Sequence, residues 1–167
     1  MSLASELKAA GGKIAVASDH AGFDLKEKIK VLLKDQSIEF VDFGTTSKDS
    51  CDYPDYARKA AESIAKGETL CGIICCGSGI GVSVVANKVR GIRAALVYEP
   101  EVAALCRQHN DANVLCMAGR SMKDEDLKPV VQAFLDSEFE GGRHARRVDK
   151  IETPRKGEEP GSYKNLK

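Results

Sequence analysis

Leu70-Cys71-Gly72-Ile73-Ile74-Cys75-Cys76-Gly77-Ser78-Gly79-Ile80-Gly81 is the stretch from which the fold can be read. Leu70 to Cys76 is a short apolar run of the length of a buried strand. Three glycines at alternate positions follow. Val82-Ser83-Val84-Val85-Ala86-Asn87-Lys88-Val89 then continues as a helix. A strand feeding a glycine-rich turn and a helix N-terminus makes a site for negative charge. The turn exposes backbone N–H groups, and the helix dipole adds about half a positive charge there. The spacing is not a dinucleotide fingerprint, because Val82 stands where G-x-G-x-x-G requires its third glycine, and no Walker lysine follows. A cysteine beside a helix N-terminus has its thiolate favoured, so Cys76 is a candidate base or nucleophile. The plainer alternative is that Cys75 and Cys76 are small core hydrophobes ending a strand. If the strand extends that far, the two point to opposite faces and only one meets the cleft.

Outward from this stretch, the same alternation repeats. Lys13 to Ser18 reads as a first buried strand ending in Asp19-His20-Ala21-Gly22. The helix after it has Leu25, Ile29, Leu32 and Leu33 on one stripe and lysines on the other. Ile38 to Phe43 is a second strand, and Tyr53-Pro54 opens a helix through Ala57, Ala60, Ala61 and Ile64. Gly91 to Val97 is a fourth strand, and Pro100 opens a helix ending in Arg107-Gln108-His109-Asn110-Asp111. Asn113 to Ala118 is a fifth strand. Asp124 to Phe139 is a long amphipathic helix that tolerates Pro129 near its start. Five strand–helix units predict a three-layer α/β/α sandwich around a five-stranded parallel sheet, Rossmann-like or flavodoxin-like. Ligands bind such folds outside the strand C-termini. Asp19-His20, Cys76-Gly77-Ser78 and Gly119-Arg120 all fall there, which predicts a single site.

The chain has 167 residues, 25 basic and 25 acidic side chains, and 43% hydrophobic content. It reads as one domain over 13–150, with an N-terminal extension 1–12 and a charged C-terminal tail 151–167. The charge balance predicts no nucleic-acid and no membrane partner, and no apolar run reaches the length of a membrane span. Residues 1–12 lack the apolar core of a signal peptide. The six cysteines show no C-x-x-C pairing, which argues against a zinc or disulfide framework and for reduced thiols in a cytoplasmic enzyme. Gly141-Gly142 precedes a basic cluster, in which Arg143 and Arg147 stand one turn apart: a solvated helix face or an anion clamp. The tail beyond it holds hardly any apolar residues and is expected to be disordered or to drape on a partner. The three histidines, His20, His109 and His144, each adjoin another candidate group. His109 follows a helix and is expected to overhang the pocket.

Ser18-Asp19-His20-Ala21-Gly22-Phe23, Asp52-Tyr53-Pro54, Cys76-Gly77-Ser78-Gly79-Ile80-Gly81, Ala86-Asn87-Lys88, Gly91-Ile92-Arg93-Ala94, Arg107 to Asn113 and Glu140-Gly141-Gly142-Arg143-His144 together resemble the ribose-5-phosphate isomerase B family. That family also includes galactose- and allose-6-phosphate isomerases. The resemblance runs from about Lys13 to Asp149. It implies an aldose–ketose isomerase that needs no metal and no cofactor, acting on a sugar phosphate through an enediolate. It implies that Cys76 moves the proton between C1 and C2 and that Ser78 serves the O1 and O2 side. Backbone N–H groups from Gly77 through Gly79 to Gly81 would hold the enediolate. It further implies that His109 opens the sugar ring, that Asp19 and Asn110 hold hydroxyls, and that Tyr53 lines the pocket. Arg143 and Arg147 would bind the phosphate, with His20, Arg120 and His144 beside them. The arginines would come from a partner subunit, in a homodimer or possibly a tetramer. Val82 occupies the position where another branch carries a glutamate base, so the resemblance is to the cysteine branch. The alternatives are a hexose 6-phosphate isomerase, with allose or galactose 6-phosphate as substrate, or a phosphate- or nucleotide-binding module without catalysis.

Overall fold

The computed structural model describes residues 1–151. The expectations for the tail beyond Ile151 lie outside the described residues. The elements are α1 (Leu3–Ala10), β1 (Ile14–Ser18), a 3₁₀ turn (His20–Gly22), α2 (Phe23–Asp35), β2 (Phe40–Asp42), α3 (Tyr53–Ala65), β3 (Cys71–Cys76), α4 (Ile80–Ala86), β4 (Ala94–Leu96), α5 (Pro100–Asn110), β5 (Val114–Ala118), α6 (Asp124–Asp136) and α7 (Arg143–Val148). All four strand pairings are parallel, in the order β2-β1-β3-β5-β4. The expected α/β sandwich is therefore what the chain forms.

Side-chain parity along the strands builds the two outer layers. Ile14, Val16, Ile73, Cys75, Leu115 and Met117 face a core closed by α1, α2, α5 and α6. Ala15, Ala17, Ile74, Cys76, Val114 and Cys116 face the core under α3 and α4. The second layer is the tighter one. Ala57, Ala60 and Ala61 of α3 are fully buried against that face, so the helix backbone approaches the sheet closely. After β2 the chain crosses back over β1 to enter β3 on its other side. The strand order thus reverses between β1 and β3, and the crevice at their C-terminal ends is where such a sheet binds ligands.

Several boundaries differ from the sequence reading, each for a physical reason. β2 is confined to Phe40–Asp42 and only half-buried, as suits an edge strand. β4 is confined to Ala94–Leu96. The Asn87 side chain supplies the outer pairing there: its Oδ1 accepts from Ala94 N–H at 2.9 Å and its Nδ2 donates to Ala94 O at 2.9 Å. An edge that other chains could extend is thereby closed. α4 ends at Ala86 and α6 at Asp136, short of the expected Val89 and Phe139. The lysine stripe of α2 is not all solvated. Lys26 is 1% exposed, and its Nζ donates to Glu27 Oε1 at 2.7 Å and Asp42 Oδ2 at 2.6 Å. Residues 1–12 form α1, whose Leu3 and Leu7 are buried in the first core. Among the described residues, no helix is long and apolar enough to cross a membrane.

Candidate active site

Three loops meet at the crevice, and they meet backbone to backbone. A Cβ on Gly119 would lie 2.6 Å from Ala21 O, and one on Gly22 would lie 2.8 Å from the Cys75 carbonyl carbon. Only glycine permits such approach. The parallel ladder carries on past the strands, with Gly119 N–H donating to Cys76 O at 2.8 Å and Arg120 N–H to Gly77 O at 3.1 Å. The end of β1, the glycine loop after β3 and the start of the loop after β5 are thus one surface, as the sequence predicts.

At the centre of that surface is Cys76. It is 4% exposed and faces the α3–α4 side, whereas Cys75 faces the opposite core. The Gly79 N–H donates to Cys76 Sγ at 3.2 Å. Burial pushes the Cys75 thiol far above the ordinary cysteine range, and likewise Cys71, to about 12. One of the paired cysteines therefore meets the glycine loop and the other is core. Gly79 holds φ +74°, and a Cβ there would stand 2.4 Å from Leu96 Cδ1. Ser78 is exposed beside it, its Oγ accepting from Ile80 N–H at 3.3 Å.

Around this loop stand other expected site residues. A Cβ on Gly81 would lie 2.8 Å from the Tyr53 ring, and one on Gly77 would lie 3.3 Å from the Arg120 guanidinium. Tyr53 and Arg120 therefore flank the loop from opposite strands' ends. Asp19 is buried, and its Oδ1 accepts from Gly22 N–H at 2.9 Å, so one oxygen caps the 3₁₀ turn. His20 Nδ1 lies 3.2 Å from Cys51 N–H, which fixes the ring against the loop before α3.

The remaining candidates form a second cluster. His109 and His144 are stacked, with centroids 4.2 Å apart and planes within 4°. Glu140 Oε2 lies 3.8 Å from His109 Nε2 and 3.7 Å from His144 Nε2. Arg143 Nε donates to His144 Nε2 at 3.2 Å. Burial, with the neighbouring His109 and Arg143, holds His144 below the ordinary histidine range. Asn110 and Arg147 are exposed beside this cluster, at the end of α5 and on α7.

This cluster does not join the Cys76 loop within one chain, contrary to the expectation that His109 overhangs the pocket. Helices of the sheet run back against the strands, so the end of α5 lies at the sheet's N-terminal edge. Arg93, just before β4, pins it there: Nε donates to Asn110 O at 3.0 Å, and the guanidinium pairs with Asp111 at 2.8 Å. β5 then runs its five residues, roughly 16 Å at strand rise, before reaching the level of Cys76. The chain thus carries two clusters of candidate residues, one at each end of the sheet. Among the described residues, His109, Glu140 and His144 stand close enough to hold a metal ion. Their geometry opposes it. An imidazole ligates in its own plane, so two parallel stacked rings cannot share an ion, and Arg143 already occupies the His144 nitrogen. Arg143 and Arg147 place two cations beside the cluster, with Glu140 as its carboxylate.

Tyr98 was absent from the sequence reading, and Glu140 stood there only within a motif, with no role. Tyr98, after β4, donates its hydroxyl to Ser78 O at 3.0 Å. Its position at a strand C-terminus was the available signal. Glu140 is tied to α5 through its N–H to Gln108 O at 3.0 Å, a contact that no spacing reveals.

Comparison with known proteins shows which family the fold belongs to. Ribose-5-phosphate isomerase B of Escherichia coli is 47% identical over 139 residues, covering 83% of this chain and 93% of that one. A ribose 5-phosphate isomerase of Thermotoga maritima superposes with TM-score 0.82 at 51% identity, covering 84% and 97%. Ribose-5-phosphate isomerase B of Mycoplasma genitalium, solved with bound ribulose-5-phosphate, gives TM-score 0.79 at 45% identity, covering 83% and 93%. Residues 14–151, which span the sheet and both clusters of candidate residues, match the ribose/galactose isomerase family, and the chain belongs to that family.

Proposed function

We propose that this chain interconverts ribose 5-phosphate and ribulose 5-phosphate, with Cys76 as the base. The observation that carries this reading is the Gly79 N–H on Cys76 Sγ, at the switch point of the sheet and in the glycine turn that opens α4. The Cys76 thiolate takes the C2 proton of the open-chain aldose and returns it to C1. As the C2–H bond breaks, its electron pair passes to the carbonyl at C1, giving the enediolate. The loop N–H groups stabilise that charge, and Ser78 Oγ, hydrogen-bonded to O1 and O2, relays the O2–H proton to O1, so that the C2 carbonyl forms as C1 takes its proton from Cys76. A positioned base contributes about 10²–10⁴ in rate, and each oxyanion donor about 3–4 kcal/mol. The Mycoplasma genitalium relative, with ribulose-5-phosphate bound, supports a pentose phosphate as the substrate. The buried, reduced thiols suit a cytoplasmic enzyme.

The second half of the site comes from a second copy. Ile80, Val84, Tyr98, Val102 and Leu105 are exposed apolar side chains on α4, α5 and the turn before α5. Val102, Leu105 and His109 fall at i, i+3 and i+7 on one stripe of α5, which leads from the glycine-loop end of the sheet to the His109 end. A two-fold pairing across this face sets each chain's His109 end against its partner's Cys76 end. In that dimer His109 opens the furanose, Asn110 and Asp19 hold hydroxyls, and Arg143 and Arg147 anchor the phosphate beside His20, Arg120 and His144. The test is conversion of ribose 5-phosphate to ribulose 5-phosphate by wild type, Cys76→Ala and Cys75→Ala. Cys76→Ala is expected to lose at least a hundredfold and Cys75→Ala to keep most activity. A dead Cys75→Ala beside an active Cys76→Ala would overturn the assignment.

A further inference from the structure

Two hydrogen bonds described separately above meet in one peptide unit. The Tyr98 hydroxyl donates to Ser78 O at 3.0 Å, and the Gly79 N–H donates to Cys76 Sγ at 3.2 Å. That carbonyl and that N–H are the two ends of the Ser78–Gly79 peptide. We propose that Tyr98 is a positioning residue for Cys76, acting through this peptide to hold and strengthen the N–H that stabilises the thiolate. The inference rests on the reading of Cys76 as the base.

The peptide is a delocalised plane, so a donor at its oxygen draws charge through it and makes its N–H a better donor. Chains of hydrogen bonds strengthen one another in this way by roughly 10–30% per bond. Orientation matters as much. Gly79 at φ +74° belongs to a glycine turn, where a peptide can rotate at little steric cost. Rotating Ser78–Gly79 would aim its carbonyl oxygen at the sulfur and repel a thiolate. Tyr98 opposes this by fixing the oxygen on the side away from Cys76. The anchor comes from outside the loop: Tyr98 follows β4, two strands from β3, and Leu96 of the same strand packs under Gly79. Tyr98 is 44% exposed. In the single chain water can reach Ser78 O; in the proposed dimer Tyr98 lies on the paired face, so the dimeric state of Tyr98→Phe is measured beside its kinetics.

Tyr98→Phe tests the proposal with two readouts. Alkylation of Cys76 by iodoacetamide at pH 7, followed by peptide mass spectrometry, is expected to slow roughly three- to tenfold. The midpoint of its pH profile should move upward. The isomerisation kcat should fall by a similar factor, with KM within about twofold and Tm unchanged. An alkylation profile identical to wild type would overturn the proposal, whatever happens to kcat. So would a raised KM with unchanged kcat, which would make Tyr98 a substrate contact. If the wild type fails to isomerise ribose 5-phosphate, the proposed function falls, and the alkylation comparison alone decides on Tyr98.

Discussion

If His109 and the arginines serve the partner's Cys76, two individually dead variants must rescue one another. Cys76→Ala removes the base from one half-site. Arg147→Ala removes part of the phosphate anchor from the other, and a charge-assisted contact of this kind is worth about 1.5–3 kcal/mol, or ten- to a hundredfold in kcat/KM at low substrate. The two positions lie at opposite edges of the sheet, on β3 and α7. In a mixed dimer one composite site therefore carries both lesions and the other carries none. Random pairing makes half the dimers mixed, each with one intact site, so about a quarter of wild-type activity should return. The assay is unfolding, mixing in equal amounts, refolding, and measuring ribulose 5-phosphate formation at limiting substrate, with tags of different mass to verify mixed dimers. Activity that stays at the parental level while mixed dimers are present would put the arginines and Cys76 in one chain's site. The roughly 16 Å strand argument would then have failed.

Two further predictions concern the scaffold. Gly79→Ala combines a left-handed residue with a Cβ 2.4 Å from Leu96 Cδ1, so it should cost about 2–5 kcal/mol and abolish activity; urea denaturation and the isomerase assay check the two halves separately. Burial pushes the Asp42 carboxyl up, but hydrogen bonds from Lys26 and Lys30 outweigh it and hold the group below the ordinary range, while Lys26 first and then Lys30 do the same for Glu27. Carboxyls lowered on folding contribute stability that is present above their unfolded pKa and lost as pH falls through the folded one. Denaturation midpoints should therefore drop below about pH 4. Asp42→Asn should flatten that dependence and cost up to about 3 kcal/mol at pH 7 by stripping a partner from buried Lys26.

The alternation of strands and helices was legible because buried parallel strands are short apolar runs and their helices carry stripes. The opposite facing of Cys75 and Cys76 was legible because strand parity leaves no choice once the register is known. Lys26 was not. A lysine on a polar stripe reads as solvated, and only the long-range approach of Asp42 on β2 makes its burial affordable. β4 was overestimated because the hydrogen bonds that a longer strand would make are supplied by side chains. Asn87 pairs with both Ala94 groups, and Asn113 accepts from Arg93 N–H at 2.9 Å and donates to Gly91 O at 2.8 Å.

These braces also divide the motifs into two kinds that sequence alone cannot separate. Asn87, Arg93, Arg107, Asp111 and Asn113 lie within motifs shared with the isomerases, yet each spends its polar atoms inside the scaffold. Arg107 is 4% exposed and binds Asp111 and the Ala112 carbonyl. Their neighbours His109 and Asn110 instead keep side chains outside these bonds. The brace at Asp111 has its own consequence for chemistry. By tying the end of α5 to Arg93 and Arg107 it fixes where His109 stands, and it fixes it at the wrong end of the sheet for its own Cys76. A site completed in one chain would need α5 to run the other way, which the parallel pairing of β4 with β5 forbids, because the connection must return to the strands' starting end. The same constraint that makes the fold a parallel sheet thus keeps His109 and Cys76 at its two ends, and the proposed dimer brings one chain's His109 to the other's Cys76.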